Sequence, residues 1–325
     1  MSFRVYSLIL SGFNGRFDRV NRRQKLLFHF SSDSNFLEFG PLDKPLLDKK
    51  SSSVFYVDYA SLEELRELYK NDPSVDCSNL CRPDFIWGKE DLKSLTAGKT
   101  FSGAVASHVI EHVPDFIGWL KEIESVLSDA GILSLAIPDK RFTFDIHRRT
   151  SSLSEMVECF LLQSRKPNLR QVFDQLLLDS ESDTYTIWRN GPPSPLITAE
   201  KIQKAFQETL EVRRSNSYHN VHCWVFTPKS FLINMYFLSV LRLTNFELIH
   251  FWPTETGQGE FILILRKIPT MSESERLQLQ IDSLKKWGLK LAWLSDPMKM
   301  EKERTFNHRL FFFGSRFFSK FRIRK

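Results

Sequence analysis

Residues 35–41 read Asn35-Phe36-Leu37-Glu38-Phe39-Gly40-Pro41, and residues 54–58 read Val54-Phe55-Tyr56-Val57-Asp58. Each is a short apolar run carrying a carboxylate near its end. Apolar side chains on consecutive positions suit strands buried on both faces, as in a parallel sheet. Open parallel sheets take ligands at the carboxyl ends of their strands. At such an end Gly40 lets backbone approach a ligand with no Cβ between them. Asp58 ends the second run, about 20 residues on, where an acid accepts hydrogen bonds from ribose hydroxyls.

Strand and helix signals alternate outward from this pair. Ser61-Leu62-Glu63-Glu64 is a capping box, predicting a helix over 62–69 that stops before Pro73. Asp84-Phe85-Ile86-Trp87 reads as a third strand. Small residues, Ala104 to Ser107, form a fourth, and His108-Val109-Ile110-Glu111-His112-Val113-Pro114-Asp115 follows it. Proline is excluded from a helix interior but suits a first turn, so the next helix starts near Pro114. Phe116, Trp119, Leu120, Ile123 and Leu127 then recur at helical spacing as core contacts. Ile132 to Pro138 is a further buried strand, with Asp139, Lys140 and Arg141 at its carboxyl end as candidate substrate contacts.

Glu38-Phe39-Gly40, Asp58 and the run from His108 to Asp115, at these separations, resemble the class I S-adenosylmethionine-dependent methyltransferases of the type 11-like kind. The resemblance covers residues 35–140 closely and 220–267 more loosely. Pro41, Leu42 and Asp43 stand where the family has further glycines, and Ser102 where it often has Asp. It implies a Rossmann-like, doubly wound α/β fold. The sheet would be seven-stranded and mostly parallel, with helices on both faces and a closing antiparallel hairpin from 246–252 and 260–267. It implies S-adenosylmethionine as cofactor. Glu38 and Gly40 would line its methionine end and Asp58 would hold the ribose. Asp84 and Phe85 would flank the adenine, and Ser107 would also contact the cofactor. His108 and His112 are then the catalytic candidates, as bases for a hydroxyl acceptor. Relatives often accompany polysaccharide enzymes, which points to a glycan or other small-molecule acceptor. The alternative is a catalytically silent methyltransferase-like scaffold. A dinucleotide oxidoreductase would want a full Gly-x-Gly-x-x-Gly turn, which is absent.

His108 to His112 also spells the inverted zinc-protease pattern. That pattern needs both histidines on one helical face, which Pro114 prevents by delaying the helix. His219 and His222, three apart, lack an evident third ligand, so no metal is expected. The four cysteines, Cys77, Cys81, Cys159 and Cys223, are too sparse for a disulfide framework and read as free thiols.

No apolar run is long enough to span a bilayer, and the expected location is cytoplasmic. The net charge of +6 is concentrated after residue 300, leaving the remainder near neutral. A basic total is thus no argument for nucleic-acid binding. Phe306, Leu310, Phe313, Phe317 and Phe321 recur every three or four residues beside basic residues. This describes an aromatic, basic helix for a membrane interface or a partner protein. The chain divides into an N-terminal arm, 1–30, a methyltransferase-like domain, 31–267, with an inserted helical substrate cap, 142–221, and a basic helical extension, 268–325.

Overall fold

The computed structural model describes residues 21–30, 34–49, 53–88 and 90–290. The proposed aromatic, basic tail helix therefore lies outside the described residues. The chain begins with α1, Arg22–Leu26, capped by Asn21, and β1, Asn35–Phe39. Then come β2, Ser53–Asp58, α2, Leu62–Tyr69, and β3, Phe85–Ile86. The Ser61–Glu64 capping box that starts α2 is present. Next are α3, Leu92–Leu95, β4, Phe101–Ser107, α4, Phe116–Val126, and β5, Leu127–Pro138. Asp115 caps α4 through the Gly118 N–H, one residue after Pro114.

The sheet order is β3-β2-β1-β4-β5-β7-β6, with β6 at Phe246–Trp252 and β7 at Glu260–Lys267. Strands β1 to β5 run parallel, and β7 inserts antiparallel between β5 and β6. This is the seven-stranded, mostly parallel, Rossmann-like sheet with a closing antiparallel hairpin that the resemblance implies.

Strand alternation divides the buried side chains between two faces. On one face Leu37, Phe39, Ala104, Ala106, Leu133, Leu135 and Leu263 join Phe116, Trp119, Leu120 and Ile123 of α4 in the main core. The other face presents Phe36, Val54, Tyr56, Val105, Ala136 and Ile262, which meet Leu26 of α1 and Leu47. Glu38 and Ser107 stand on that second face by the same alternation.

Between β5 and α9, Pro228–Val240, lie two short 3-10 turns and four helices. These helices are α5, Leu153–Leu161, α6, Leu169–Leu178, α7, Thr184–Asn190, and α8, Ala199–Ser215. The inserted segment shares the main core. Met156 and Cys159 of α5 belong to the main core, beside Cys223, Trp224 and Phe226. After the sheet, α10, Glu273–Lys286, packs on its β6 edge. The Gln280 amide donates to the carbonyls of Thr244 and Phe246 at 3.0 Å each.

Candidate active site

The carboxyl ends of β1, β2, β3 and β4 border a cleft of about 450 Å³. Gly40, at φ +59°, makes the turn after β1, and its N–H donates to the Val57 carbonyl. The left-handed backbone favours glycine here, and a Cβ would also stand a tight 3.0 Å from Val109 Cγ2. Asp58 closes β2 at the cleft wall, 7% exposed, and accepts from the Tyr59 N–H at 2.8 Å. Burial pushes its carboxyl up to about 6, against the pull of the Tyr59 and Ala60 N–H groups. Rings supply much of the wall: Phe39, Tyr59, Tyr69, Trp87, Trp119 and Tyr218.

The third strand corrects the sequence reading. Pairing sets Val57 against Phe85 and Asp58 against Ile86, and the Trp87 N–H donates to the Asp58 carbonyl. Trp87 therefore stands beside Asp58 at the cleft. Phe85 instead stacks on Phe55 and packs against the core, with ring centroids 5.7 Å apart. Asp84 accepts from the Tyr56 N–H at 2.7 Å and pairs with Lys49, away from the cleft lining. An acid followed by an aromatic suggests an adenine platform at Asp84 and Phe85, but strand register brings the next aromatic, Trp87, to the cleft. Trp87 is held by Glu122, whose carboxylate accepts from the indole N–H at 2.7 Å.

Glu38 is also outside the cleft lining. Its two oxygens accept from the N–H groups of Leu46 and Leu47, at 2.7 and 2.8 Å. Desolvation raises its pKa to about 7 despite those bonds. Its visible work is to fold the loop after Gly40 back over β1. Ser107 likewise faces away, accepting from Arg22 of α1 at 2.6 Å.

A model of the methyltransferase domain family matches residues 16–231, about two-thirds of the chain. The chain belongs to that family. No curated protein matches it. Similar solved structures include CurJ carbon methyltransferase, at 12% identity and TM-score 0.31, covering 74% of this chain and 50% of that one. A second is a putative zinc-dependent alcohol dehydrogenase from Rhodobacter sphaeroides, at 12% identity and TM-score 0.43, covering 78% and 90%. A third is the 1,6-didemethyltoxoflavin-N1-methyltransferase of Burkholderia thailandensis with bound S-adenosylhomocysteine, at 13% and 0.36, covering 76% of each chain. The chain thus spans half the length of the first of these.

In this methyltransferase domain both proposed catalytic histidines line the cleft. They do not share a helical face, because Ile110–His112 is a single 3-10 turn. His108 occupies a left-handed backbone conformation, φ +55°, which is uncommon for a residue with a side chain. Its Nε2 lies 2.7 Å from Glu260 of β7, and its Nδ1 faces Glu111 at 3.6 Å. Burial opposes charge on His108, but the Glu260 hydrogen bond and the Glu111 carboxylate outweigh it and raise its pKa. Arg22 clamps the other side of Glu260, at 2.6 and 2.9 Å. The sequence reading missed Glu260. It lies at the start of β7, the second strand of the closing hairpin, 152 residues from His108, and only the antiparallel return of β7 brings the two together.

His112 differs. Burial, and then the neighbouring His222, push its pKa down to about 3, so it stays neutral near neutral pH. The reading of His112 as a base titrating near neutrality gives way for that reason.

The inserted segment adds Ser164, Arg165, Tyr218 and Asn220 to the wall. Tyr218 stacks on Tyr59 with centroids 5.6 Å apart, joining the insertion to the end of β2.

Proposed function

We propose that this domain is an S-adenosylmethionine-dependent methyltransferase acting on a small polar acceptor of the glycan class. The observation that carries it is the conjunction of Gly40, Asp58 and Trp87 at adjoining strand ends of one cleft. The residues fit the cofactor. A left-handed glycine gives close backbone approach, a buried carboxylate can accept from two hydroxyls, and an indole face can take a base. When bound, S-adenosylmethionine supplies a methyl group activated on a sulfonium. The chain's part in such a displacement is mostly alignment and exclusion of water. Asp58 would hold the ribose and Trp87 the adenine. Ser164, Arg165, Tyr218 and Asn220 offer the mixed polar and aromatic wall that suits a sugar-like acceptor.

His108 adds a titratable group to this wall, its pKa raised by Glu260 and Glu111. With Nε2 bound to Glu260 and Nδ1 turned to Glu111, it would orient an acceptor or stabilise charge rather than present a bare nitrogen as base. That same observation favours the second reading, a domain that binds cofactor without turnover. Transfer of labelled methyl from S-adenosylmethionine to a pool of glycan acceptors separates the two.

Exchanging the two aromatics of the β3 region tests the register. Trp87→Leu is expected to weaken S-adenosylhomocysteine binding by about 0.5–1.5 kcal/mol, the worth of a ring contact beyond its area. Phe85→Leu should leave affinity near wild type. The reverse ranking in calorimetry would return the adenine to Phe85.

Asp58 also sets a pH dependence. Its pKa is raised in the fold, so its contribution to stability without ligand is present below the unfolded value. That contribution is lost as pH rises through about 6. Ribose hydroxyls donate to the ionised form, so ligand affinity should be full above pH 6 and decline below it. The groups facing Asp58 are the phenols of Tyr59 and Tyr69, both raised by burial and neutral throughout this range. Asp58→Asn should bind more weakly with that component of the slope removed. A wild-type affinity that is flat from pH 5 to 8 would contradict the assignment.

A further inference from the structure

Behind the cleft wall, Glu111 has its carboxylate buried, 1% exposed, with neither oxygen hydrogen-bonded. His112 has an unpartnered, buried Nδ1 beside it. His222 completes the group: one ligand atom from each of Glu111, His112 and His222 lies within 4.8 Å of the others. The rings of His112 and His222 meet edge to face, centroids 4.6 Å apart. We propose that Glu111, His112 and His222 form a binding site for a divalent first-row transition ion of the zinc class.

Several features beyond proximity support it. A buried carboxyl with neither oxygen hydrogen-bonded is costly in either protonation state, and such groups are found paired or on metals. The nearest cation candidate, His108, stays at 3.6 Å and is already committed to Glu260. His222 has its Nδ1 2.5 Å from Asp145, leaving Nε2 as the nitrogen available to an ion. Carboxylate–histidine pairs of this kind orient metal ligands and raise their basicity. Asp145 is in turn held by Arg148 at 2.7 Å, and the Arg148 Nη2 donates to the His222 carbonyl at 2.9 Å. Two histidines and one glutamate form a donor set used by zinc sites that keep an open position. Tetrahedral ligands about 2.1 Å from zinc stand about 3.4 Å apart, so an ion would draw the three inward.

Backbone bonds already join the two ligand-bearing segments. The Glu111 carbonyl accepts from the N–H groups of Cys223 and Trp224, and the Trp224 indole donates to the Val113 carbonyl at 2.6 Å. An ion here would fasten the loop after β4 to the end of the inserted segment, with His112 reaching the cleft. The site is independent of whether the cleft takes S-adenosylmethionine.

The test is a calorimetric titration of metal-free, full-length protein with zinc chloride, repeated on Glu111→Gln and His222→Gln. Glutamine is isosteric with a protonated Glu111, and circular dichroism verifies that each variant is folded. One zinc per chain is expected, raising Tm. Each variant should bind more weakly by at least the roughly 10–100-fold that loss of an outer partner costs elsewhere. With cobalt chloride as probe, visible d–d bands should arise without a thiolate charge-transfer band. No saturable zinc binding by wild type would overturn the proposal. So would binding unchanged in either folded variant, or a thiolate band placing the ion on a cysteine.

Discussion

Arg148→Met is expected to lower folding stability by about 3–5 kcal/mol, the range for breaking a buried ion pair. The side chains of Arg148 and Asp145 are each 2% exposed. The guanidinium contacts Asp145, Asp174 and the His222 carbonyl at 2.7–2.9 Å. Removing it leaves the Asp145 carboxylate in the interior with the His222 imidazole as its remaining side-chain partner. Asp174 is 30% exposed and can turn to water, so Asp145 accounts for most of the loss. At roughly 2–4 °C per kcal/mol for chains of 150–250 residues, the expected fall in Tm is about 6–20 °C. Thermal denaturation of the variant checks this. Replacing Asp145 by leucine in the same chain should recover part of the loss, because an apolar pair can match a buried ionic one. A single variant within 1 °C of wild type would mean that Asp145 is neutral or solvated in the fold.

Asp58→Ala carries the second large effect. Its carboxylate is 7% exposed at the end of β2, and hydrogen bonds to a charged acceptor contribute about 1.5–3 kcal/mol. S-adenosylhomocysteine affinity should therefore fall about 10–150-fold. The apo variant should be no less stable than wild type near neutral pH, because an unfavourably buried charge is removed. Loss of binding together with loss of stability would make Asp58 a structural residue only. Unchanged affinity in the folded variant would remove it from the site.

The sheet was legible because its information is local. Phe36, Leu37 and Phe39, Val54 to Val57, and Ala104 to Ser107 carry strand signals within a few residues, and Ser61 and Pro114 mark helix starts by chemistry that acts over one turn. Gly40 and Asp58 followed from their places at strand ends. Trp87 did not, because it depended on parallel register, which pairs Val57 with Phe85 and is invisible in either strand alone. Glu38 was misplaced because its two acceptor oxygens are taken by Leu46 and Leu47, and loop closure has no sequence signature. The links from Glu260 to His108 and from His222 to Glu111 span more than one hundred residues. They exist only after the hairpin and the insertion have folded back. Burial settled the character of His112: sequence makes a histidine a neutral-pH base, and desolvation makes this one neutral.

The most direct test of the central claim is a crystal structure of the protein grown with S-adenosylhomocysteine. Density is predicted in the cleft, with ribose oxygens within hydrogen-bond distance of Asp58, the base against Trp87 and the chain passing Gly40. Density at Asp84 and Phe85, or an empty cleft at saturating ligand, would contradict it.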